Sequence, residues 1–357
     1  MKLRKSFFNR TSVRRLRLRT VTFIALLWTF IDVIVVLLYH SLPSTNKINA
    51  LILREIIVFI SSVIMGYLLV VELRKLLRNF NLLTAFVLKS LVLIVAAILI
   101  NLFIYAINSF SILGVTVAES FHHFYIDVSD TNKFLQRLLY WLVLFMITQL
   151  FIELNEKYSP GVFMDILLGR YRNPKIEQRI VMFIDLKDST PIAEKLGSQL
   201  YFKFISEFIY YISNALIEYN GKIYQYVGDE IVVSWLQKKN NIEKSMLALR
   251  KARKNLTRQN NLFISRYGIV PEFRVGVHIG EVTVGEIGVI KKDIAMSGDV
   301  MNTAARIRGY CCELNKKVIV SVDFINKINK EEWQAQSLGM IELKGKAKHI
   351  ELFSLDV

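Results

Sequence analysis

The sequence predicts two parts in series: an all-α domain of four transmembrane helices over residues 1–152, then an α+β sandwich of helices on a mostly antiparallel sheet over residues 176–357. A helical connector at 153–175 joins them. Two observations lead there. Apolar residues make up 53% of the 357 positions and crowd the first 152, giving a mean hydropathy of +0.37, which is high for a chain that lives wholly in water. From Ile180 onward, short β-rich runs alternate with helical periodicity, and Gly228-Asp229-Glu230 forms a tight hairpin between two of those runs.

The first part rests on four apolar stretches, Val21 to Tyr39, Leu51 to Val71, Leu82 to Ile107 and Leu138 to Ile152. Each is near the roughly 17 to 25 residues that a tilted helix uses, although the last is short. The first stretch is too long for a signal peptide and no small-residue cleavage site follows it, so it reads as an uncleaved helix. Arg74, Lys75 and Arg78 lie between stretches two and three, whereas the first loop holds only Lys47 and the third holds Glu119, Asp127 and Asp130. Basic loops stay in the cytoplasm, which makes this a multi-pass protein of the plasma (inner) membrane with both ends cytoplasmic.

The net charge of +16 does not require a nucleic-acid partner. Lys2, Arg4, Lys5, Arg10, Arg14, Arg15, Arg17 and Arg19 precede the first apolar stretch, where they orient the chain and touch anionic membrane lipid. No nucleic-acid-binding module accompanies them. Asp32 lies near the middle of the first stretch and Lys89 within the third, and a charge at bilayer depth costs about 2.5 to 3.5 kcal/mol. Lys89 is near the cytoplasmic end and snorkels, and Asp32 is protonated or hydrogen-bonded within the bundle; an Asp32–Lys89 pair is the less favoured alternative. His122 and His123 read as a solvated loop, and the adjacent Cys311 and Cys312 as neither a disulfide framework nor a zinc site.

In the connector, a helical register runs to Tyr158, Ser159-Pro160-Gly161 interrupts it, and a short helix follows over Val162 to Leu168. The pattern then predicts a strand at 180–184, helices across 191–219, strands at 222–227 and 231–235, and a helix across 243–264. Strands at 272–279 and 281–286, a helix at 300–312, and strands near 317–321, 338–343 and 349–354 complete the order.

Asp185 ends the apolar run Ile180-Val-Met-Phe-Ile184, and Asp229 sits in the hairpin turn, so the fold can bring both carboxylates to one sheet edge. Hard oxygen ligands on a rigid edge suit a pair of Mg²⁺ ions in phosphoryl transfer. Pro191 suits the first turn of the next helix, whose free N–H groups favour a phosphate beside Ser189 and Thr190. Plain capping by Asp188, Ser189 or Thr190 uses neighbouring groups and is compatible with that role. On the helix at 300–312, Val300, Ala304, Ile307 and Cys311 form the apolar stripe, and Asn302 and Arg306 lie on the opposite side. His278, in an alternating strand, reads as structural.

Phe183-Ile-Asp-Leu-Lys-Asp-Ser-Thr190, Tyr226-Val-Gly-Asp-Glu230 and Ser297-Gly-Asp-Val-Met-Asn-Thr-Ala-Ala-Arg306 together resemble the catalytic domain of class III nucleotidyl cyclases, over about the last half of the chain. The resemblance implies a membrane-anchored adenylyl cyclase that converts ATP to 3′,5′-cyclic AMP and pyrophosphate. It implies two Mg²⁺ ions per site, with Mn²⁺ as a substitute, held by Asp185, the backbone carbonyl of Leu186 and Asp229. It further implies that Asn302 orients the ribose, that Arg306 stabilises charge at the α-phosphate, and that Lys344 in Leu343-Lys-Gly345 binds phosphate. Ser189 and Thr190 belong with the nucleotide phosphates. Each site in this family forms between two catalytic domains, which implies a head-to-tail homodimer with two equivalent sites.

The purine-selecting positions depart from the adenylyl pattern. Gln225 stands where Lys is usual and Ala295 where Asp or Thr is usual, and the guanylyl pattern is not matched either. The Gln225 amide donates or accepts and so satisfies either purine edge. A guanylyl cyclase making cyclic GMP, and a catalytically silent cyclase-like nucleotide-binding or dimerisation module of a membrane receptor, are the alternatives.

Overall fold

The computed structural model describes residues 11–39, 45–73, 76–77, 80–108, 119, 122, 125–126, 131–157, 162–290, 293–343 and 349–357. Residues 14–157 and residues 158–357 form separate compact units.

The N-terminal unit is helical: α1 (Thr11–Tyr39), α2 (Thr45–Tyr67) running on through a π-helical turn at Leu68–Leu73, α3 (Leu82–Asn108) and α4 (Thr131–Lys157). Among the described residues, Arg17–Leu37 and Ile52–Leu73 are long and apolar enough to cross a membrane, while Leu83–Ala96 and Leu139–Leu154 are shorter apolar helical stretches. Trp28 anchors this unit, donating from Nε1 to Thr148 Oγ1 at 2.9 Å and packing on Phe145 at 4.8 Å between ring centroids.

Its buried charges are paired, as buried charges must be. Asp32 is met by Arg54, with Nη2 lying 3.1 Å from Oδ1 and 2.9 Å from Oδ2, and the same guanidinium reaches Glu55 at 3.2 Å. Lys89 pairs with Glu153. The Asp32–Lys89 alternative is therefore not formed, because each charge has a nearer partner on another helix.

In the C-terminal unit, a short helix α5 (Val162–Leu167) leads to an eight-stranded sheet ordered β2-β3-β1-β4-β6-β8-β7, with β5 pairing on β4. The strands are β1 (Lys175–Leu186), β2 (Lys222–Val227), β3 (Glu230–Leu236), β4 (Phe273–Ile287), β5 (Asp293–Ser297), β6 (Val318–Ser321), β7 (Gln336–Glu342) and β8 (His349–Ser354). Among the described strands, the β4–β6 pairing is the parallel one. The helices are α6 (Ser189–Glu218), α7 (Lys239–Thr257), α8 (Asn260–Tyr267), α9 (Asp299–Glu313) and α10 (Val322–Ile325).

Strand β1 is apolar without alternation because both of its faces are covered. Ile180, Met182 and Ile184 join Phe204, Phe208, Met246 and Leu249 from α6 and α7 on one face. Val181 and Phe183 join Val300 and Ala304 from α9 on the other. Each such side chain contributes about 1.5 to 3 kcal/mol of burial free energy, so the strand that carries Asp185 is fixed on both sides.

Helix α9 lies unusually close to the sheet. A Cβ added at Gly276 would sit 2.3 Å from the Arg308 backbone nitrogen and 2.6 Å from the Ala304 carbonyl, and one at Gly280 would sit 2.7 Å from Val300. Gly280 therefore does not break the strand, as the expected division into 272–279 and 281–286 had it. It lies inside one long β4 that gives way to α9. The helix expected across 243–264 is likewise two helices, since Gln259 leaves the helical region and the turn brings Phe263 and Tyr267 edge-on to Phe204.

The segment before β1 is pinned to the sheet. Asp165 on α5 accepts from Lys222 of β2 at 2.7 Å and from Arg170 at 3.2 Å. Buried Arg179 pairs with Glu177 at 2.6 Å and donates to Ser234 Oγ and the Tyr171 hydroxyl, and the Glu286 amide donates to the Tyr171 carbonyl.

Because the contact at Gly276 is with backbone, neither partner can swing aside. Gly276→Ala is expected to cost about 1 to 3 kcal/mol by overpacking, read as a lower denaturation midpoint of the full chain, whereas an unchanged midpoint would show that α9 can lift without loss.

Candidate active site

The site is built where β1 ends between its two neighbours. Asp185 lies opposite Glu230 of β3 and Arg274 of β4 in strand register. The β2–β3 turn places Asp229 immediately before Glu230, and Gly228 takes φ +60°, a left-handed conformation that admits glycine without strain. Three carboxylates thus converge at one edge.

Arg308, from α9, meets them. Its Nη1 donates to Asp185 Oδ2 at 3.2 Å, and its Nη2 forms an ion pair with Glu230 Oε2 at 2.8 Å. Burial pushes the Asp185 carboxyl up to about 6, against the pull of Arg308, with Asp229 and then Glu230 adding to the rise. Burial also raises Glu230, again opposed by Arg308. Among the described residues, buried Asp229 Oδ2 accepts no hydrogen bond.

An unpaired carboxylate oxygen beside a second carboxylate fits a hard cation. Among the described residues no three His, Cys, Asp or Glu side chains form a metal cage. The fit is instead that of Mg²⁺ or Mn²⁺, which use one or two carboxylates and complete their shell with water and phosphate.

Helix α6 starts next to this edge. Asp188 precedes it with φ +57° and makes no side-chain cap, so capping does not occupy the first turn at Ser189 and Thr190. The Tyr201 hydroxyl is raised above the ordinary phenol range by burial and by Asp229, with a hydrogen bond from Ser189 opposing and Asp185 adding. Lys187 and Lys317 both bond Glu272, at 3.0 and 3.2 Å, and hold its carboxyl below the usual range. Arg274 Nη2 lies 4.0 Å from Asp188.

The other predicted residues are distributed around this centre. Gln225 is exposed on β2 and Ala295 half-buried on β5; the Met296 amide donates to the Tyr224 hydroxyl at 3.2 Å, tying the two strands one residue away from each. Asn302 is exposed and Arg306 half-buried on the side of α9 away from Val300, Ala304, Ile307 and Cys311. Neither makes a hydrogen bond or ion pair within the described chain, and neither is joined to Asp185 or Asp229. Lys344 lies outside the described residues, as does His123. His278 is buried with Nδ1 2.7 Å from Ser321 Oγ, and both cysteines are free.

The profile described as "Adenylate and Guanylate cyclase catalytic domain" matches residues 172–356. The chain belongs to that family. Adenylate cyclase 2 of Rhizobium meliloti (strain 1021) is 31% identical over 206 residues, which cover 57% of this chain and 57% of the relative. Adenylate cyclase of Anabaena cylindrica is 23% identical over 216 residues, 56% of this chain and 42% of the relative. The chain thus spans only about half the length of these curated relatives. A bacterial light-regulated adenylyl cyclase structure matches with TM-score 0.50 at 19% identity, over 60% of this chain and 62% of that one, and shares the fold.

Sequence reasoning alone misses Arg308, Tyr201, Lys187, Arg274 and Lys317. The signal for Arg308 was its place one residue after Ile307, on the sheet-facing flank of α9, but only the register of β1 against β4 shows what it meets.

With Mn²⁺ at about 100 times its dissociation constant, binding to the folded state stabilises by about 2.7 kcal/mol. Asp229→Asn is expected to lose most of that gain in a thermal melt, and a gain as large as wild type would remove Asp229 from the cation site.

Proposed function

We infer that this chain is a membrane-anchored adenylyl cyclase that converts ATP to 3′,5′-cyclic AMP and pyrophosphate at a homodimer interface. The observation that carries the reading is the convergence of Asp185 and Asp229 at one sheet edge, with a buried Asp229 oxygen that has no hydrogen-bond partner among the described residues, inside a domain of the cyclase family.

In the reaction the ribose 3′-oxygen bonds the α-phosphorus, the bond to the pyrophosphate oxygen breaks, and the hydroxyl proton leaves to solvent. Two Mg²⁺ or Mn²⁺ ions, when bound by Asp185, Asp229 and the Leu186 carbonyl, supply activation of the hydroxyl and charge neutralisation at the departing pyrophosphate. The open first turn of α6, at Ser189 and Thr190, offers backbone N–H groups to the phosphates. Lys344 adds a further phosphate contact.

Asn302 and Arg306 act on the nucleotide held by a second copy of the chain. Their outward position on α9 and lack of partners among the described residues support this, since a guanidinium fork can meet phosphate oxygens in two places. Arg306 stabilises the charge that builds at the α-phosphate, a contribution of about 10² to 10³ in rate for one donor of this kind. Four membrane helices would raise the local concentration that pairing needs.

Gln225 reads the purine with an amide that serves either edge, and Ala295 adds no side-chain hydrogen bond. Guanylyl cyclase activity is therefore the second reading. The α5 connector, pinned through Asp165 to the strand that leads to Gln225, is the segment through which the membrane unit acts on the site.

Three measurements test these statements. Full-length protein in lipid, with ATP or GTP and Mg²⁺, is expected to give cyclic AMP that Asp229→Ala abolishes; cyclic GMP alone would reverse the purine assignment. Co-expressed Asp229→Ala and Arg306→Ala chains, each inactive by itself, are expected to recover about a quarter of wild-type activity, because half the dimers are mixed and each mixed dimer has one intact site. No recovery would place both residues in one protomer's site. Replacing 153–174 with a stiff helix of unrelated sequence is expected to change cyclase activity, and an unaltered rate would take the connector out of regulation.

A further inference from the structure

Arg308 has no part in the reaction described above, yet it is the cation already present at the acidic edge. Its guanidinium reaches Asp185 at 3.2 Å and Glu230 at 2.8 Å, with side chains 32%, 21% and 14% exposed respectively. Its helix lies close on β4, where a Cβ at Gly276 would meet the Arg308 backbone nitrogen. Asp229 Oδ2, one residue from Glu230, has no hydrogen-bond partner among the described residues. One guanidinium therefore faces three carboxylates and neutralises two of them.

We propose that Arg308 is an internal counter-ion that competes with divalent cations for Asp185, so that metal loading requires the guanidinium to give up Asp185 while keeping Glu230. This rests on the assignment of Asp185 and Asp229 as the cation ligands. An oxygen of Asp185 engaged by Nη1 is not free for a metal, and a positive charge so close opposes a second one in a partly buried site. The carboxylate pair alone is thereby a weak metal site. Metal is taken up strongly only together with a triphosphate, whose negative charge offsets Arg308. Glu230 is the alternative seat that keeps the displaced guanidinium paired.

The test is Mn²⁺ binding without nucleotide, followed by the loss of the free-ion paramagnetic resonance signal on the full chain in lipid discs. Arg308→Gln is expected to bind Mn²⁺ at least about tenfold more tightly than wild type, and Arg308→Lys, which keeps the charge, to stay within about threefold of wild type. Arg274→Gln controls for the general field, since Arg274 lies across from Asp185 in register but approaches Asp188 instead; it is expected to change affinity by less than about twofold.

Equal or weaker binding by Arg308→Gln would overturn the proposal and leave Arg308 as a group that only positions Asp185. An Arg274→Gln effect as large as that of Arg308→Gln would overturn it in favour of bulk electrostatics. If Arg308→Gln does not fold, Arg308→Lys decides: affinity raised tenfold despite the retained charge would overturn it, and wild-type-like affinity with Arg274→Gln also unchanged would support it. Absence of Mn²⁺ binding in every variant and wild type would remove the cation site itself, and the proposal with it. No arm depends on cyclase activity, so a failure of the cyclase reading with intact Mn²⁺ binding would be seen separately.

Discussion

The approach of α9 to the sheet at Gly276 is the constraint on which the site depends. With hydrogen in place of a side chain there, the helix backbone can lie almost on the strand, where a Cβ would be 2.3 Å from the Arg308 nitrogen. That seat fixes the rotation of the helix about its own axis. Val300, Ala304 and Ile307 are then buried, Arg308 is aimed at Asp185, and Asn302 and Arg306 are turned away. One residue without a side chain thus divides the helix into a face that serves its own chain's carboxylates and a face free to serve another molecule.

The same domain treats its charges in two ways. Arg179 and Glu177 form a buried pair completed by Ser234 and Tyr171, so the cost of removing two charges from water is offset by hydrogen bonds on nearly every side. At the β1 edge the pairing is incomplete: among the described residues, buried Arg308 Nε donates no hydrogen bond and buried Asp229 Oδ2 accepts none. A well-satisfied network rigidifies, whereas an incomplete one leaves groups ready for a ligand. The contrast falls along a single strand, with the closed network at the start of β1 and the open one at its end.

Much of this was legible in the sequence, for reasons that can be named. The short apolar run Ile180 to Ile184 reads as a strand, and the structure has β1 there. The Gly228 turn dictated a hairpin, and the apolar stripe on 300–312 gave the facing of α9. What escaped depended on partners distant in sequence. Gly280 looked like a strand break because its real role, giving room to Val300, lies across the fold. Strand β5 is short and lies in a stretch without clear alternation. Nothing local in the sequence marks Arg54 as the partner of Asp32, because the pair joins two helices. Arg308 was hidden for the same reason, being matched to Asp185 only by tertiary contact.

The position of β1 in the middle of the sheet has a consequence for the time course of synthesis. The strand leaves the ribosome before either neighbour, and Asp185 and Arg308 are 123 residues apart. At about 5 to 20 residues per second, their meeting waits on the order of 6 to 25 s. Through that interval the nascent chain carries an apolar strand with at least one open edge, a template for pairing with other chains. The β2–β3 hairpin, next in order and local, closes one side early; the other remains open until β4 arrives. The architecture that makes the edge rigid in the finished protein also leaves this apolar strand open on one side until β4 is made.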